Sequence, residues 1–168
     1  NILDMTRLES GRVQPHFDWH SMADVVQAAL QRCAPAIVGH RVKVAVPPDL
    51  PPARVDGTLL EQALANLLLN AAMHTPADSL IEVAAAVVGD HFTITVADNG
   101  PGLPTEALGR VFDKFYRLPG AAAGGLGLGL SIVRGFILAQ GGQIEAANRP
   151  AGGAIFTIQM PLQTVPLP

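Results

Sequence analysis

Residues 57–73, GTLLEQALANLLLNAAM, constrain the fold more than any other stretch. The chain carries 17 glycines and 14 prolines, yet the interior of this segment holds neither. Leu60, Leu64, Leu67 and Leu68 recur at helical spacing and share a face. Such a helix is stable only when another layer covers its apolar side. The flanking sequence supplies that layer. RVKVAVP (41–47) alternates polar and apolar residues as a strand does, and SLIEVAAAVVGDHFTITVAD (79–98) reads as a hairpin turning at Gly89 and Asp90. GGQIEAANRPAGGAIFTIQMPL (141–162) is a second hairpin, and Leu128–Gln140 is a further helix.

The rest is quickly placed. Residues 1–10 are a helix end stopped by Gly11, and VQPHFDWHS holds a short strand. Ser21 caps a helix running to about Ile37, and PPDLPPARVD is a connector. After NGPGLP, residues 105–124 are loop-like with one short helix, and QTVPLP is a frayed tail. The expected fold class is α+β: a two-layer sandwich, mixed sheet, helices stacked on one face.

Composition narrows the function. Of 168 residues, 49% are hydrophobic and 15% charged, which a folded domain requires and a disordered chain lacks. A net charge of -3 offers no footprint for nucleic acid or anionic lipid. The one cysteine, Cys33, rules out a disulfide framework and a cysteine-rich zinc site, and reads as a buried small hydrophobe. No apolar run approaches the roughly 18 residues needed to span a bilayer. No secretory signal is present, and the opening NILDMTRLESGRV reads as the last turns of a helix, as in a piece of a longer protein.

Three features could do chemistry. Asn66 and Asn70 stand one turn apart on the long helix, and Gln62 and His74 extend the same polar line. Amides in mid-helix are poor helix formers with nothing to cap there. A solvated face would account for them, and so would a ligand; an amide oxygen suits Mg²⁺. Asp98 ends a strand and is followed by Gly100 and Gly102, so it either makes an Asx turn or presents a carboxylate to an exocyclic amine. GGLGLGL (124–130) lacks the Lys-Ser/Thr of a Walker loop, and Leu130 stands where a dinucleotide fingerprint needs glycine. It is either a hinge or an anion site at a helix N-terminus.

Taken in order, NLLLNA, DNGPGL, FDKFYR and GLGLGL resemble the N box, first glycine box, F box and second glycine box of sensor histidine kinases. GGAIFTI matches the closing strand of their ATP-binding catalytic domain. That domain belongs to the wider superfamily of gyrase, heat-shock-90, histidine kinase and mismatch-repair ATPases, with a Bergerat-type fold. ANRPAGGAIFTIQMPL and FDKFYRLP further resemble the potassium-responsive class of these sensors. Residues 1–13 resemble the end of the dimerisation and phosphoacceptor helix, leaving 14–162 as the catalytic domain and 163–168 as a tail.

The resemblance implies ATP and Mg²⁺ as cofactors. It assigns Asn70, supported by Asn66, to the metal, and Asp98 to adenine N6, with Gly100 beside it and Gly102 giving the backbone room. Gly125, Leu126, Gly127, Leu128, Gly129 and Leu130 would line the phosphate end and hinge a lid over 103–124, mobile without nucleotide. Phe112 and Phe115 would anchor that lid by burial, Lys114 and Arg117 would face phosphate, and Thr157 would help hold a water beside Asp98. Asn70, Lys114 and Arg117 are then the catalytic set.

One departure stands out: where the family has a basic residue and then Tyr, this chain has Met73 and His74. Met cannot pair with phosphate, so Lys114 or Arg117 must substitute, while His74 can stack near adenine or donate to it. The implied reaction moves the ATP γ-phosphate to a histidine in an upstream helix; none of His16, His20, His40, His74 or His91 has the acceptor's sequence context. The implied partners are the chain's own dimerisation domain and a response regulator. The piece itself is expected as a monomer and its parent as a homodimeric inner-membrane sensor with this domain in the cytoplasm. Alternatives are an anti-sigma-type serine kinase and a degenerate, non-catalytic interaction module, for which Met73 is the support.

Overall fold

The computed structural model describes residues 2–118 and 128–163. Its elements, in chain order, are α1 (Ile2–Glu9), β1 (Asp18–His20), α2 (Met22–Arg32), α3 (Ala34–Ile37), β2 (Arg41–Ala45), β3 (Ala53–Val55) and α4 (Gly57–Met73). They continue with β4 (Leu80–Val88), β5 (His91–Asp98), a 3-10 turn (Thr105–Ala107), α5 (Gly129–Ala139), β6 (Gln143–Asn148) and β7 (Ala154–Pro161). Five strands form one sheet in the order β2-β4-β5-β7-β6, with only the β2–β4 pair parallel. Helices cover one face, giving the two-layer α+β sandwich.

Alternation along the strands sets that face. Ile81, Val83 and Ala85 of β4, Phe92, Ile94 and Val96 of β5, and Phe156, Ile158 and Met160 of β7 are buried in one core with α2 and α4. The intervening Thr93, Thr95, Thr157 and Gln159 turn to the other face and are only partly covered.

α4 is more enclosed than its leucine stripe suggests. Leu59, Leu60, Ala63, Leu64, Ala65, Leu67, Leu68 and Ala71 are all buried, because α2, α5 and the sheet surround it. The strip through Gln62, Asn66, Asn70 and Met73 reaches solvent, as do Thr58 and Leu69. Its N-terminus is tied down by a buried polar knot that the sequence did not announce. The Asp56 carboxylate accepts from Leu59 N at 3.0 Å and from His16 N at 2.9 Å, and Asp56 N donates to Gln140 Oε1 at 2.8 Å. Every member has a partner, as buried polar groups require.

Two local expectations change. The helix after Ser21 does not run unbroken to Ile37; it divides at Cys33, because Pro35 cannot donate to a continuing helix. The Cys33 thiol is buried, donates to Ala65 O at 3.3 Å, and has its pKa raised by that burial, with Arg32 opposing. The proline-rich connector also contains β3, which pairs with β1 as a separate two-stranded ribbon. Ser21 does cap α2, accepting from Asp24 N, and Gly11 ends α1 with a positive φ of 68°.

α1 packs on α5 rather than standing apart. Met5 joins Leu59, Leu128, Ile132 and Phe136 in a second apolar cluster. A Cβ on Gly135 would lie 2.6 Å from Leu8 Cδ1, so the two helices touch where that glycine leaves a notch.

Candidate functional site

The C-terminal end of α4, the end of β5 and the start of β7 converge. Asp98, the last residue of β5, is 7% exposed. Its Oδ1 accepts from Gly100 N at 3.0 Å and Ala154 N at 3.3 Å, while Oδ2 has no protein partner among the described residues. A buried carboxylate fixed through one oxygen with the other free is arranged to receive a donor from a ligand. The Asx-turn geometry and the ligand-reading geometry thus coexist in one side chain.

Glycines let backbone close around it. Gly100 packs on Thr75, whose Cγ2 would lie 2.6 Å from an added Cβ, and Thr75 Oγ1 is held by Ala71 O and the His40 ring. Gly102 adopts φ +78° against Asn148. Gly153, unremarked in the sequence, lies closest of all: a Cβ there would sit 1.9 Å from the Asp98 carbonyl oxygen.

His74 caps α4, donating its backbone N–H to Asn70 O at 3.1 Å, and senses the Asp98 charge. Asn66, Asn70 and His74 are all partly exposed along one helix strip leading to Asp98. Among the described residues neither asparagine side chain makes a protein hydrogen bond, so both amides are available. No group of three or more His, Cys, Asp or Glu could cage a metal among these residues. That donor set fits Mg²⁺ nonetheless, since this ion is usually held by one or two protein oxygens with phosphate and water completing its shell.

Burial lowers the His74 pKa from its ordinary 6.5, with Asp98 pulling the other way. Between the two values the unfolded chain binds more protons, so this group's stability is present above the ordinary value and lost as pH falls through the folded one. The expected outcome is that melting temperature declines as pH falls below the ordinary histidine range, and that His74→Gln makes this decline shallower. Thermal melts of both proteins through this fall in pH check it, and an unchanged slope would count against it.

Several expected roles move. Thr157 faces the wrong way: its register partner is Thr95, on the sheet face opposite Val96 and Asp98, so it cannot hold a water at that carboxylate. Phe112 is partly buried, edge-on to Phe156 at 6.1 Å, but Phe115 is 65% exposed with φ 62° and anchors nothing. Ala107 and Val111 are buried there instead. Lys114 pairs with Glu9 of α1, away from the asparagine strip, and Arg117 is exposed.

Leu128 is buried among Met5, Ile132 and Phe136, Gly129 opens α5, and Leu130 packs on the main core, so these leucines serve packing. Gly125, Leu126 and Gly127 lie outside the described residues, as does the rest of 119–127. Met73 is 64% exposed and offers no cation.

A strand-end carboxylate, an amide strip on the facing helix and glycine-tight turns at one end of a two-layer sheet define a class of nucleotide-binding domain. The chain belongs to the histidine kinase-, DNA gyrase B- and HSP90-like ATPases, whose family model matches residues 55–164. Within that family, the relatives it resembles in sequence and fold include sensor histidine kinases. The sensor protein KdpD of Escherichia coli K12 is 41% identical over 167 residues, 99% of this chain and 19% of that protein. Mycobacterial sensor histidine kinase MprB superposes with a TM-score of 0.79 at 28% identity, over 88% of this chain and all of the other. Full-length ShkA, solved with AMPPNP, gives 0.84 at 27% identity, over 98% of this chain and 35% of the other. The chain spans about a fifth of the length of the curated relatives it matches. No helix among the described residues is long and apolar enough to cross a membrane.

Proposed function

We propose that this chain binds ATP with its adenine amine on Asp98 and its phosphates toward Asn66 and Asn70, and delivers the γ-phosphate to a histidine of an upstream helix. The observation that carries this reading is the half-satisfied, buried Asp98 carboxylate at the end of the amide strip. Asp98 orients the base, Gly100 and Gly102 let the loop approach it, and His74 forms the pocket wall between base and asparagines. Asn70, with Asn66 behind it, orients the phosphate end and would hold Mg²⁺. The ion, when bound, neutralises phosphate charge.

Arg117 and Lys114 are the candidate phosphate cations, and Lys114 would exchange its Glu9 partner for phosphate. In this reading residues 1–13 are the end of the dimerisation helix and the parent is a homodimeric membrane sensor serving a response regulator. Calorimetric titration with ATP and Mg²⁺ tests the site. Wild type is expected to bind in the micromolar to millimolar range, and Asn70→Ala to weaken binding on the order of tenfold, an effect that vanishes when Mg²⁺ is removed. Wild type that binds no nucleotide would defeat the proposal in favour of an interaction module. For the parent, labelling on serine rather than histidine would do the same.

A further inference from the structure

We propose that the turn between β6 and β7 sets the base selectivity of this site, with Asn148 and Arg149 as positioning residues for Asp98. This rests on the reading that Asp98 receives the adenine amine. The segment from Asn99 to Pro104 carries two glycines and two prolines and belongs to no strand. Its upstream end is pinned to β4, where Asn99 N donates to Leu80 O and Leu80 N to Asn99 Oδ1. One turn across the sheet grips both Asp98 and the downstream end.

Asn148 Oδ1 accepts from Leu103 N at 2.7 Å, and its Nδ2 donates to Leu103 O at 2.7 Å. Only a carboxamide offers an acceptor and a donor side by side, so it can satisfy both polar groups of one backbone residue. The neighbouring Arg149 reaches the other end: Nη1 donates to the Asp98 carbonyl oxygen at 3.0 Å, and Nη2 pairs with Glu82 of β4 at 3.7 Å. The turn itself is closed by Arg149 N to Gly153 O at 2.8 Å and Gly152 N to Arg149 O at 3.0 Å. Gly153 then presses on the Asp98 carbonyl, and Ala154 N holds the carboxylate. Beyond its Gly100 contact and its pairing with Ile81 of β4, Asp98 is thus held at both backbone and side chain by residues 149–154, while the preceding residue fixes Leu103.

This placement predicts a specific energetic signature. A recognition carboxylate misplaced by even part of an ångström loses its hydrogen bond to the base, while phosphate contacts made from α4 are untouched. A purely structural role for the Arg149–Glu82 pair would instead weaken every nucleotide alike.

The test uses the whole 168-residue chain and three magnesium-complexed probes: ATP, purine riboside triphosphate (which lacks only the 6-amino group) and ADP. Wild type is expected to prefer ATP over the amine-free analogue by on the order of tenfold or more. Asn148→Ala and Arg149→Ala should shrink that preference to about twofold or less, leaving the ATP-to-ADP ratio as in wild type. Arg149→Lys, which keeps a cation and one reachable donor, should recover part of it. Should an alanine variant fail to melt cooperatively, Asn148→Ser and Arg149→Lys carry the same prediction in milder form.

An undiminished preference in the variants overturns the proposal, as does an equal loss for all three probes. A wild type indifferent to the amine would overturn the adenine reading of Asp98 first, a result distinct from either.

Discussion

Replacing Asp98 with asparagine is expected to weaken ATP binding by on the order of a hundredfold while leaving the fold intact. The amide can keep its oxygen in the Oδ1 position, so Gly100 N and Ala154 N retain their acceptor. The Oδ2 position becomes an NH₂, and a donor then faces the adenine amine, itself a donor. A charge-assisted bond worth about 1.5–3 kcal/mol is lost and a like-polarity contact replaces it. The same swap suits the carbonyl of guanine, so the ATP-over-GTP preference should narrow. Isothermal titration with each nucleotide and Mg²⁺ measures both effects; affinity for ATP within about twofold of wild type would refute the assignment. Alanine is the poorer probe, since it also strands two N–H groups at a buried site at about 1–3 kcal/mol each.

Among the described glycines, Gly153→Ala should give the largest loss of stability. The backbone sits at φ +95°, where an L side chain is strained, and the new Cβ would stand 1.9 Å from the Asp98 carbonyl oxygen. Neither partner is a flexible side-chain end, so β5 or β7 must move. About 3 kcal/mol or more is expected, or a melting temperature lower by roughly 6–12 °C. Gly152 is a built-in control, with φ +105° and nothing within 4 Å of an added Cβ. Gly152→Ala therefore feels backbone strain alone, about 1–3 kcal/mol. Equal destabilisation in the two variants would show that the close approach at Gly153 contributes nothing.

The long helix, both hairpins and their turn at Gly89–Asp90 were legible because each rests on local periodicity and turn chemistry. β3 was not, since three residues inside a proline-rich stretch have no period to read, and only β1 across the ribbon makes them a strand. Likewise the helix break at Cys33 depended on Pro35, which was visible but passed over.

The site divides in the same way. Asn66, Asn70, His74 and Asp98 could be picked out because a polar strip on an apolar helix and a carboxylate before paired glycines are anomalies within a single element. Thr157 was misassigned because the face of a strand is fixed by register with neighbours, and one residue of phase decides it. Phe115 was misassigned, and the Lys114 partner was not foreseen, because loop side chains obey no period: one is turned outward by a positive φ and the other finds Glu9, over a hundred positions earlier.

By itself, then, the order of residues determined the two-layer architecture and nominated the groups able to meet a nucleotide, since helix faces, hairpin turns and amide strips are short-range properties of the chain. Only the tertiary structure decided which of them meet. The fit of Gly153 on Asp98, the reach of Arg149 to the Asp98 carbonyl and the grip of Asn148 on Leu103 join residues 45 to 55 positions apart. Such contacts depend on how strands register and layers stack, and no local pattern encodes that distance.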